Sequence, residues 1–240
     1  MIRSCIFIFY ISLSAAAVVA ADDEADRLYA DRANLASARR AADLWRPVSA
    51  GSGPAGFEAA WKLARADYWL GGHVPESERR KIYEEGIAAG QRAIALQANR
   101  PEGHFWVAAN MGAMAESFGL RQGIKYRKPV KDELETVLRL DAGFMQGSAD
   151  RALGRWYFKV PGLFGGSDKE SEVHLRASLK YNPTSTASHY FLAELFLDNG
   201  RKAEARTELQ AVLEAPLDPD WTPEDREFKE KARKALASLK

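Results

Sequence analysis

The stretch from Gly147 to Pro183, GSADRALGRWYFKVPGLFGGSDKESEVHLRASLKYNP, predicts a helix, a glycine-rich turn and a second helix. The first helix carries Leu153 followed by Gly154, and the second ends at Asn182. Glycine and proline favour the ends of helices because glycine tolerates turn conformations and proline cannot continue the hydrogen-bond ladder. Altered copies of this unit occur on both sides of the stretch, so the sequence predicts an array of helical hairpins.

The copies share a large apolar residue followed by a small one, and a helix terminator seven residues later. The pairs are Leu63-Ala64, Met111-Gly112, Leu153-Gly154 and Leu192-Ala193, and the terminators are Gly71, Gly119, Pro161 and Gly200. In the second helices, 35 residues separate Ala177 from Val212, while 40 and 44 residues separate the earlier equivalents. We expect the small residues to let paired helices approach closely.

This pattern resembles the tetratricopeptide repeat, which has a period of about 34 residues. The last copy matches best, with apolar or small residues from Leu192 to Leu213 at the required positions. We therefore predict an all-α, tetratricopeptide-like helical-hairpin solenoid of about four repeats, with capping helices at both ends. The alternative is an unrelated helical bundle whose spacing arises by chance.

The capping helices frame the array at both ends of the folded region. We expect one N-terminal helix over residues 23–45, broken at Pro47, and a final helix over 223–239 whose apolar side covers the open end of the array. Between them, we expect a basic connector after Gly119 and further helices over 57–70, 75–97, 101–119, 130–140, 146–159, 168–181, 185–199 and 202–214.

The N-terminus has the pattern of a secretory signal peptide over residues 1–21, which leaves a single repeat domain over 22–240. Its apolar run, Ile6 to Ala17, precedes small residues at 18–20. The sole cysteine, Cys5, lies before that run, so the sequence contains no lipobox. We expect an exported, periplasmic protein without a stable membrane anchor after cleavage. An uncleaved anchor is the alternative.

The charge balance argues against a nucleic-acid-binding protein, because the formal net charge is only +1. The basic connector carries Arg121, Lys125, Arg127, Lys128 and Lys131. It is either a solvated face or a docking patch for an acidic partner.

Several runs resemble the T-component family of tripartite (TRAP-type) transporters. The most specific is RALGRWYFKVPGLFGG, and the similarity extends from about Trp61 to the end. The resemblance implies a periplasmic repeat protein that works beside a substrate-binding protein. Many members of that family carry a lipobox, which this chain lacks.

We expect binding on the concave face formed by the first helix of each hairpin. Side chains at fixed helical offsets from the four small residues form one stripe there. Aromatic residues and arginine commonly dominate binding energies. The alternative for the aromatic residues is packing against the N-terminal helix, so the sequence leaves open whether this groove is filled. The candidate binding residues are Trp61, Arg65, Tyr68, Trp69, Trp106, Glu116, Arg151, Arg155, Phe158, Tyr190 and Glu194.

The glycine run before the helix at Asp168 has two interpretations. It could cradle an anion at a helix N-terminus, but it lacks the lysine and hydroxyl residues of a P-loop. We therefore predict a structural turn formed by Pro161, Gly162, Gly165 and Gly166.

No catalytic, metal-binding or cofactor-binding motif occurs in the sequence. We predict a non-enzymatic accessory protein of a TRAP-type transporter that binds the solute-binding protein, a ligand or both. Exposed aromatic stripes would also permit self-association. The alternative is a general scaffold for protein interactions in the cell envelope.

Overall fold

Helical hairpins follow one another along the chain. The computed structural model describes residues 15–239, with side chains from Asp22 to Leu239. The side chains of the predicted signal peptide, residues 1–21, therefore lie outside the described part of the chain. In the described range the helices are α1 (Ala15–Ala30), α2 (Leu35–Ser49), α3 (Gly53–His73), α4 (Glu76–Leu96), α5 (Pro101–Ser117), α6 (Leu120–Leu140), α7 (Phe144–Lys159), α8 (Asp168–Tyr181), α9 (Thr186–Asp198), α10 (Lys202–Glu214) and α11 (Thr222–Ser238).

The hairpins stack as a solenoid. Helix α3 packs on α4, α5 on α6, α7 on α8 and α9 on α10, while α3, α5, α7 and α9 also contact one another in sequence. Apolar residues from α1 to α7 share one core, and smaller cores around Leu192 and Leu209 continue it to the C-terminus. Each large apolar side chain buried in this way contributes about 1.5–3 kcal/mol. The predicted repeat fold is confirmed.

The small residues have different roles in different hairpins. A Cβ atom at Gly154 would lie 2.5 Å from Leu175 Cγ, so this glycine permits the close approach of α7 and α8. A Cβ atom at Gly112 would meet no other atom within 4 Å. The prediction was wrong for Gly112. The helix that approaches α5 closely is α4, because a Cβ atom at Gly90 would lie 2.6 Å from Val107 Cγ2.

The N-terminal segment forms two helices instead of the predicted one. Asn34 caps α2 by accepting a hydrogen bond from the backbone N–H of Ala36, and the chain turns back just before it. Pro47 does not break α2, which continues to Ser49. The apolar stripe expected on one helix is therefore divided between two antiparallel elements, α1 and α2.

The basic connector is also helical, because it forms the first half of α6. Tyr126, Val130, Leu134 and Val137 are buried from this helix at helical spacing. Pro129 lies inside the helix without ending it. The prediction of a connector before residue 130 was wrong because the proline and the charges obscured this buried stripe.

The two ends of the array meet, so α11 does more than cover an open end. Arg32, in the turn between α1 and α2, donates from Nε to Glu224 Oε1 at 2.9 Å and from Nη2 to the carbonyl oxygen of Asp220 at 2.7 Å. His73 Nε2 lies 2.7 Å from Glu227 Oε1. Trp221 packs against the core formed by α1 to α7. These contacts close the array around a central space.

The glycine-rich corner is a tight turn whose N–H groups are used internally. A 3₁₀ turn covers Gly162–Phe164, and Gly165 follows it with φ of 102°. The N–H groups of Phe164 and Gly166 both donate to the carbonyl oxygen of Pro161. Because these donors are occupied, the corner has the geometry of a turn and not of an anion cradle.

Alanine substitutions at two glycines of this corner should differ in their effect on stability. A Cβ atom at Gly166 would lie 1.6 Å from the carbonyl oxygen of Val160, whereas one at Gly162 would meet nothing within 4 Å. We expect Gly166→Ala to destabilise the protein by about 1–3 kcal/mol or more, since overpacking forces the backbone to shift. Gly162→Ala is the matched control, and urea unfolding of both variants measures the difference. Equal stability of the two variants would contradict the turn geometry.

Asp67 is a buried acid in α3. Its side chain is 1% exposed, and Oδ2 has no hydrogen-bond partner among the described residues. Burial raises the pKa of Asp67 to about 8, with an opposing effect of Arg46. The carboxyl group is therefore protonated in the folded protein at pH 7.

This raised pKa should make stability depend on pH. Between the ordinary value near 4 and the folded value, the folded chain holds a proton that the unfolded chain has lost, so stability falls as pH rises through this window. The largest slope is about 1.4 kcal/mol per pH unit. We expect Asp67→Asn to reduce this slope in urea unfolding at several pH values, while the exposed control Asp198→Asn retains it. A slope unchanged in Asp67→Asn would contradict the assignment.

Candidate functional site

A cavity of about 1180 Å³ occupies the inner side of the closed array. The first helices of the second, third and fourth hairpins line it, and α11 with the segment before it closes the opposite side. Its walls combine alanine and aromatic side chains with a small number of charged groups. A concave, mostly apolar space with few polar groups is typical of binding sites.

Seven of the candidate binding residues line this cavity together. They are Tyr68, Trp106, Glu116, Arg151, Arg155, Tyr190 and Glu194. The helical offsets therefore place the stripe of α5, and most of the stripes of α7 and α9, on one surface. Gly112 also lines the cavity, which explains the open space around its Cα.

Three candidates of the first hairpin lie outside the cavity lining because α1 and α2 cover them. The Arg65 guanidinium lies 4.0 Å from the ring centre of Tyr29 and 3.6 Å from Asp26 Oδ1. Trp61 packs against the first core and donates to Glu58, and Trp69 donates to the carbonyl oxygen of Arg32 at 2.7 Å. The groove is thus covered over most of its first repeat, where only Tyr68 of the candidates reaches the cavity, and open at the other three.

Phe158 also lies outside the cavity lining. It packs against the second core, whose buried members include Leu175 and Leu192. Phe158 lies near the end of α7, and its side chain packs toward the next hairpin and not toward the cavity.

Arg155 joins three helices across the cavity wall. Its Nε and Nη2 atoms donate to the two carboxylate oxygens of Glu116, both at 2.8 Å, and Nη1 donates to Glu194 Oε2 at 3.0 Å. Burial lowers the pKa of Arg155, but the hydrogen bond and charge of Glu116 and the charge of Glu194 outweigh it, so the pKa is raised. This arginine is fully engaged within the protein.

Arg151 lies one helical turn before Arg155 and has a different environment. No carboxylate among residues 22–239 forms an ion pair or hydrogen bond with it. Burial lowers the pKa of Arg151 to about 10, and the nearby Tyr68 and Asp225 side chains oppose this effect. It remains protonated at neutral pH. An unpaired cation in a shielded cavity is suited to bind a carboxylate or another anionic group.

Trp106 supplies a second unused donor. The residue is 2% exposed, and its Nε1 atom has no hydrogen-bond partner within the described part of the chain. The Tyr68 ring lies against it, with ring centres 5.7 Å apart. Burial raises the pKa of Tyr68, and so does the charge of Glu116. Its hydroxyl therefore stays protonated and can donate as well.

The C-terminal wall of the cavity was not predicted from the sequence. Trp221, Glu224, Asp225 and Phe228 all line the cavity. Asp225 is held by Thr186 Oγ1 at 2.5 Å and by the N–H of Asp218 at 2.8 Å. The apolar side of α11 indicated packing, but only the meeting of the two chain ends places its first turns at the cavity.

The described residues carry little that suggests other chemistry. From Asp22 to Leu239, the His, Asp and Glu side chains form no cluster of three able to hold a metal ion. Among the helices that the structure describes, none is both long and apolar enough to cross a bilayer.

Comparison with known families and structures agrees with the fold. A family model described as "Regulator of microtubule dynamics protein 1-3" matches residues 23–164, and a tetratricopeptide repeat model matches residues 169–222. The solved structure of TTC0263, a thermophilic tetratricopeptide protein of Thermus thermophilus, has a TM-score of 0.69 at 20% identity, covering 92% of this chain and 99% of that chain. MamA has a TM-score of 0.49 at 13% identity, covering 84% and 95%. No curated protein matches the chain.

The two neighbouring arginines should respond oppositely to substitution. Arg155→Gln leaves the carboxylates of Glu116 and Glu194 without their shared cation, so we expect a loss of about 1–3 kcal/mol after allowance for partial exposure. Arg151→Gln removes a shielded, unpaired charge, and we expect unchanged or higher stability. Thermal and urea unfolding of both variants test this. A destabilisation of Arg151→Gln equal to that of Arg155→Gln would contradict the unpaired state of Arg151.

Proposed function

This chain belongs to the family described as regulator of microtubule dynamics protein 1-3, and from this membership and the repeat fold we propose that it is a non-enzymatic protein that binds a segment of a partner protein in the central cavity. Tetratricopeptide-like arrays present extended concave surfaces of this kind to other proteins. The family name refers to microtubule dynamics, whereas the proposal concerns what the cavity of this chain binds.

One observation carries the proposal: Arg151 is a protonated side chain in the cavity wall, and no carboxylate among residues 22–239 pairs with it. The other central cation, Arg155, already holds two carboxylates. An acidic side chain or a terminal carboxylate of the partner would supply the missing countercharge. The Tyr68 hydroxyl lies on the same surface and favours an acceptor-rich group.

The cavity is large enough to admit a segment of a partner chain. Pockets for small ligands have volumes of about 300–1,000 Å³. The cavity of about 1180 Å³ exceeds that range. Its aromatic residues, Trp106, Tyr190 and Phe191 among them, can accommodate apolar side chains beside the anchored acid.

The partner that we propose is the solute-binding protein of a TRAP-type transporter. Two sequence features support this choice: the signal-peptide pattern over residues 1–21 and the resemblance of RALGRWYFKVPGLFGG to T-components. Both chains would then meet in the periplasm. The alternative is a general scaffold in the cell envelope, which would use the same cavity for other partners.

Affinity purification from the native cells tests the proposal. Immobilised wild-type protein should retain a solute-binding protein. Arg151→Gln should retain at least about tenfold less, because a hydrogen bond to a charged group is worth about 1.5–3 kcal/mol. Arg139→Gln, at an exposed site on α6 outside the cavity, is the matched control.

Two outcomes would overturn parts of this proposal. Equal retention of the same partner by Arg151→Gln would show that the cavity cation does not bind it. The wild-type protein could instead recover wall-synthesis or secretion proteins that Arg151→Gln does not recover. That result would support the cavity as the binding site but favour the scaffold function over transport.

A further inference from the structure

An apolar and basic patch lies at the rim of the cavity and includes residues that the proposed function does not use. Its apolar side chains are Leu120 and Ile124 of α6 and Leu163 and Phe164 of the 3₁₀ turn. Leu163 is 90% exposed and Leu120 is 70% exposed, the highest values among the large apolar side chains of residues 22–239. Exposed apolar residues that cluster in this way mark a surface for interaction.

The two segments of the patch are joined. Leu120, Ile124 and Arg127 lie on one face of α6, since their spacing of four and three residues matches the helical repeat. The Arg127 guanidinium lies 5.3 Å from the ring centre of Phe164. Leu120, Ile124, Arg127 and Phe164 all border the same cavity. Leu120, Ile124 and Phe164 therefore lie on the same side of the protein, and Leu163 is the exposed neighbour of Phe164 in the turn.

Cations flank the apolar side chains. Residues 120–131 contain five lysines and arginines and no acidic residue, in a chain whose formal net charge is only +1. Arg121, Lys125 and Arg127 form no ion pair among residues 22–239, although Lys128 and Lys131 pair with acids further along α6. The positive charge is therefore local and partly uncompensated.

We propose that this patch is a peripheral docking surface for an anionic membrane. Exposed aliphatic side chains enter the headgroup region, and lysine and arginine beside them attract acidic lipids. The contact is reversible, because the patch supplies only a few apolar side chains and no spanning segment. It would bring the mouth of the cavity toward the bilayer surface.

An acidic partner protein is the competing occupant, and the apolar side chains argue against it. Specific protein interfaces usually seat apolar side chains in complementary pockets. Here Leu163 and Leu120 project almost fully from the surface. Projecting leucines flanked by flexible cations fit a soft interface better than a rigid one.

A fluorescent probe at one position tests membrane docking in the full chain. Cys5→Ser removes the sole cysteine, and Leu163→Cys then carries an environment-sensitive label. Val173→Cys is the matched control, because Val173 is exposed on α8 and does not line the cavity. The probes report insertion at their own positions, so vesicle binding by the apolar N-terminal stretch does not imitate the signal.

The expected result is a blue shift at position 163, but not at 173, with vesicles of phosphatidylcholine and phosphatidylglycerol. Vesicles of phosphatidylcholine alone and raised salt should abolish the shift. Replacing Arg121 and Lys125 by glutamine should weaken binding by about twenty-fivefold, since each cation near an anionic surface contributes about fivefold.

Three results would overturn the proposal. They are a shift of equal size at both positions, binding that is unchanged in the Arg121→Gln/Lys125→Gln variant, and a response at 163 to polyglutamate but to neither type of vesicle. The last result would identify the patch as a site for an acidic polypeptide.

Discussion

The contact between Arg32 and the first turn of α11 is the interaction on which the site depends. Arg32 is 3% exposed and binds both Glu224 and the carbonyl oxygen of Asp220, residues almost two hundred positions away. Its pKa is raised: burial alone would lower it, but the hydrogen bond and charge of Glu224 outweigh that effect. Without this contact the repeats would form an open groove. With it they surround a partly open space whose walls shield the charges inside and strengthen their interactions.

Closure explains why two arginines on the same helix have different roles. Arg155 faces acids on the two neighbouring repeats, and its three hydrogen bonds hold α5, α7 and α9 in register. Arg151 faces the space between the repeats and α11, where Asp225 is already occupied by Thr186 and a backbone N–H. Arg155 thus stabilises the packing of the cavity wall, whereas Arg151 is available to a ligand.

The cavity and the apolar and basic patch divide two functions between neighbouring surfaces. The cavity presents the Arg151 guanidinium and the Tyr68 hydroxyl in a concave wall, which suits the recognition of one segment. The patch presents projecting side chains on the start of α6 and on a 3₁₀ turn, which suits contact with a soft surface. Because Leu120, Ile124 and Phe164 border both features, binding at one would place a partner near the other.

Periodicity along the sequence determined much of this protein. The recurring pairs such as Leu153-Gly154 determined the hairpins, their register and the residues of α5, α7 and α9 that face inward, because helical spacing alone decides which side chains share a face. Sequence spacing did not separate α1 from α2, and it missed the first half of α6 because Pro129 and the charges masked a buried stripe.

Only the tertiary structure decided which inward-facing residues meet an open space. The N-terminal hairpin covers Trp61, Arg65 and Trp69, and α11 adds a wall that no local pattern places there. The physical reason is that burial and ion pairing depend on partners far away in sequence. Repeat spacing places Arg151 and Arg155 on the same face of one helix. The positions of distant acids decide that Arg155 is paired and Arg151 is not.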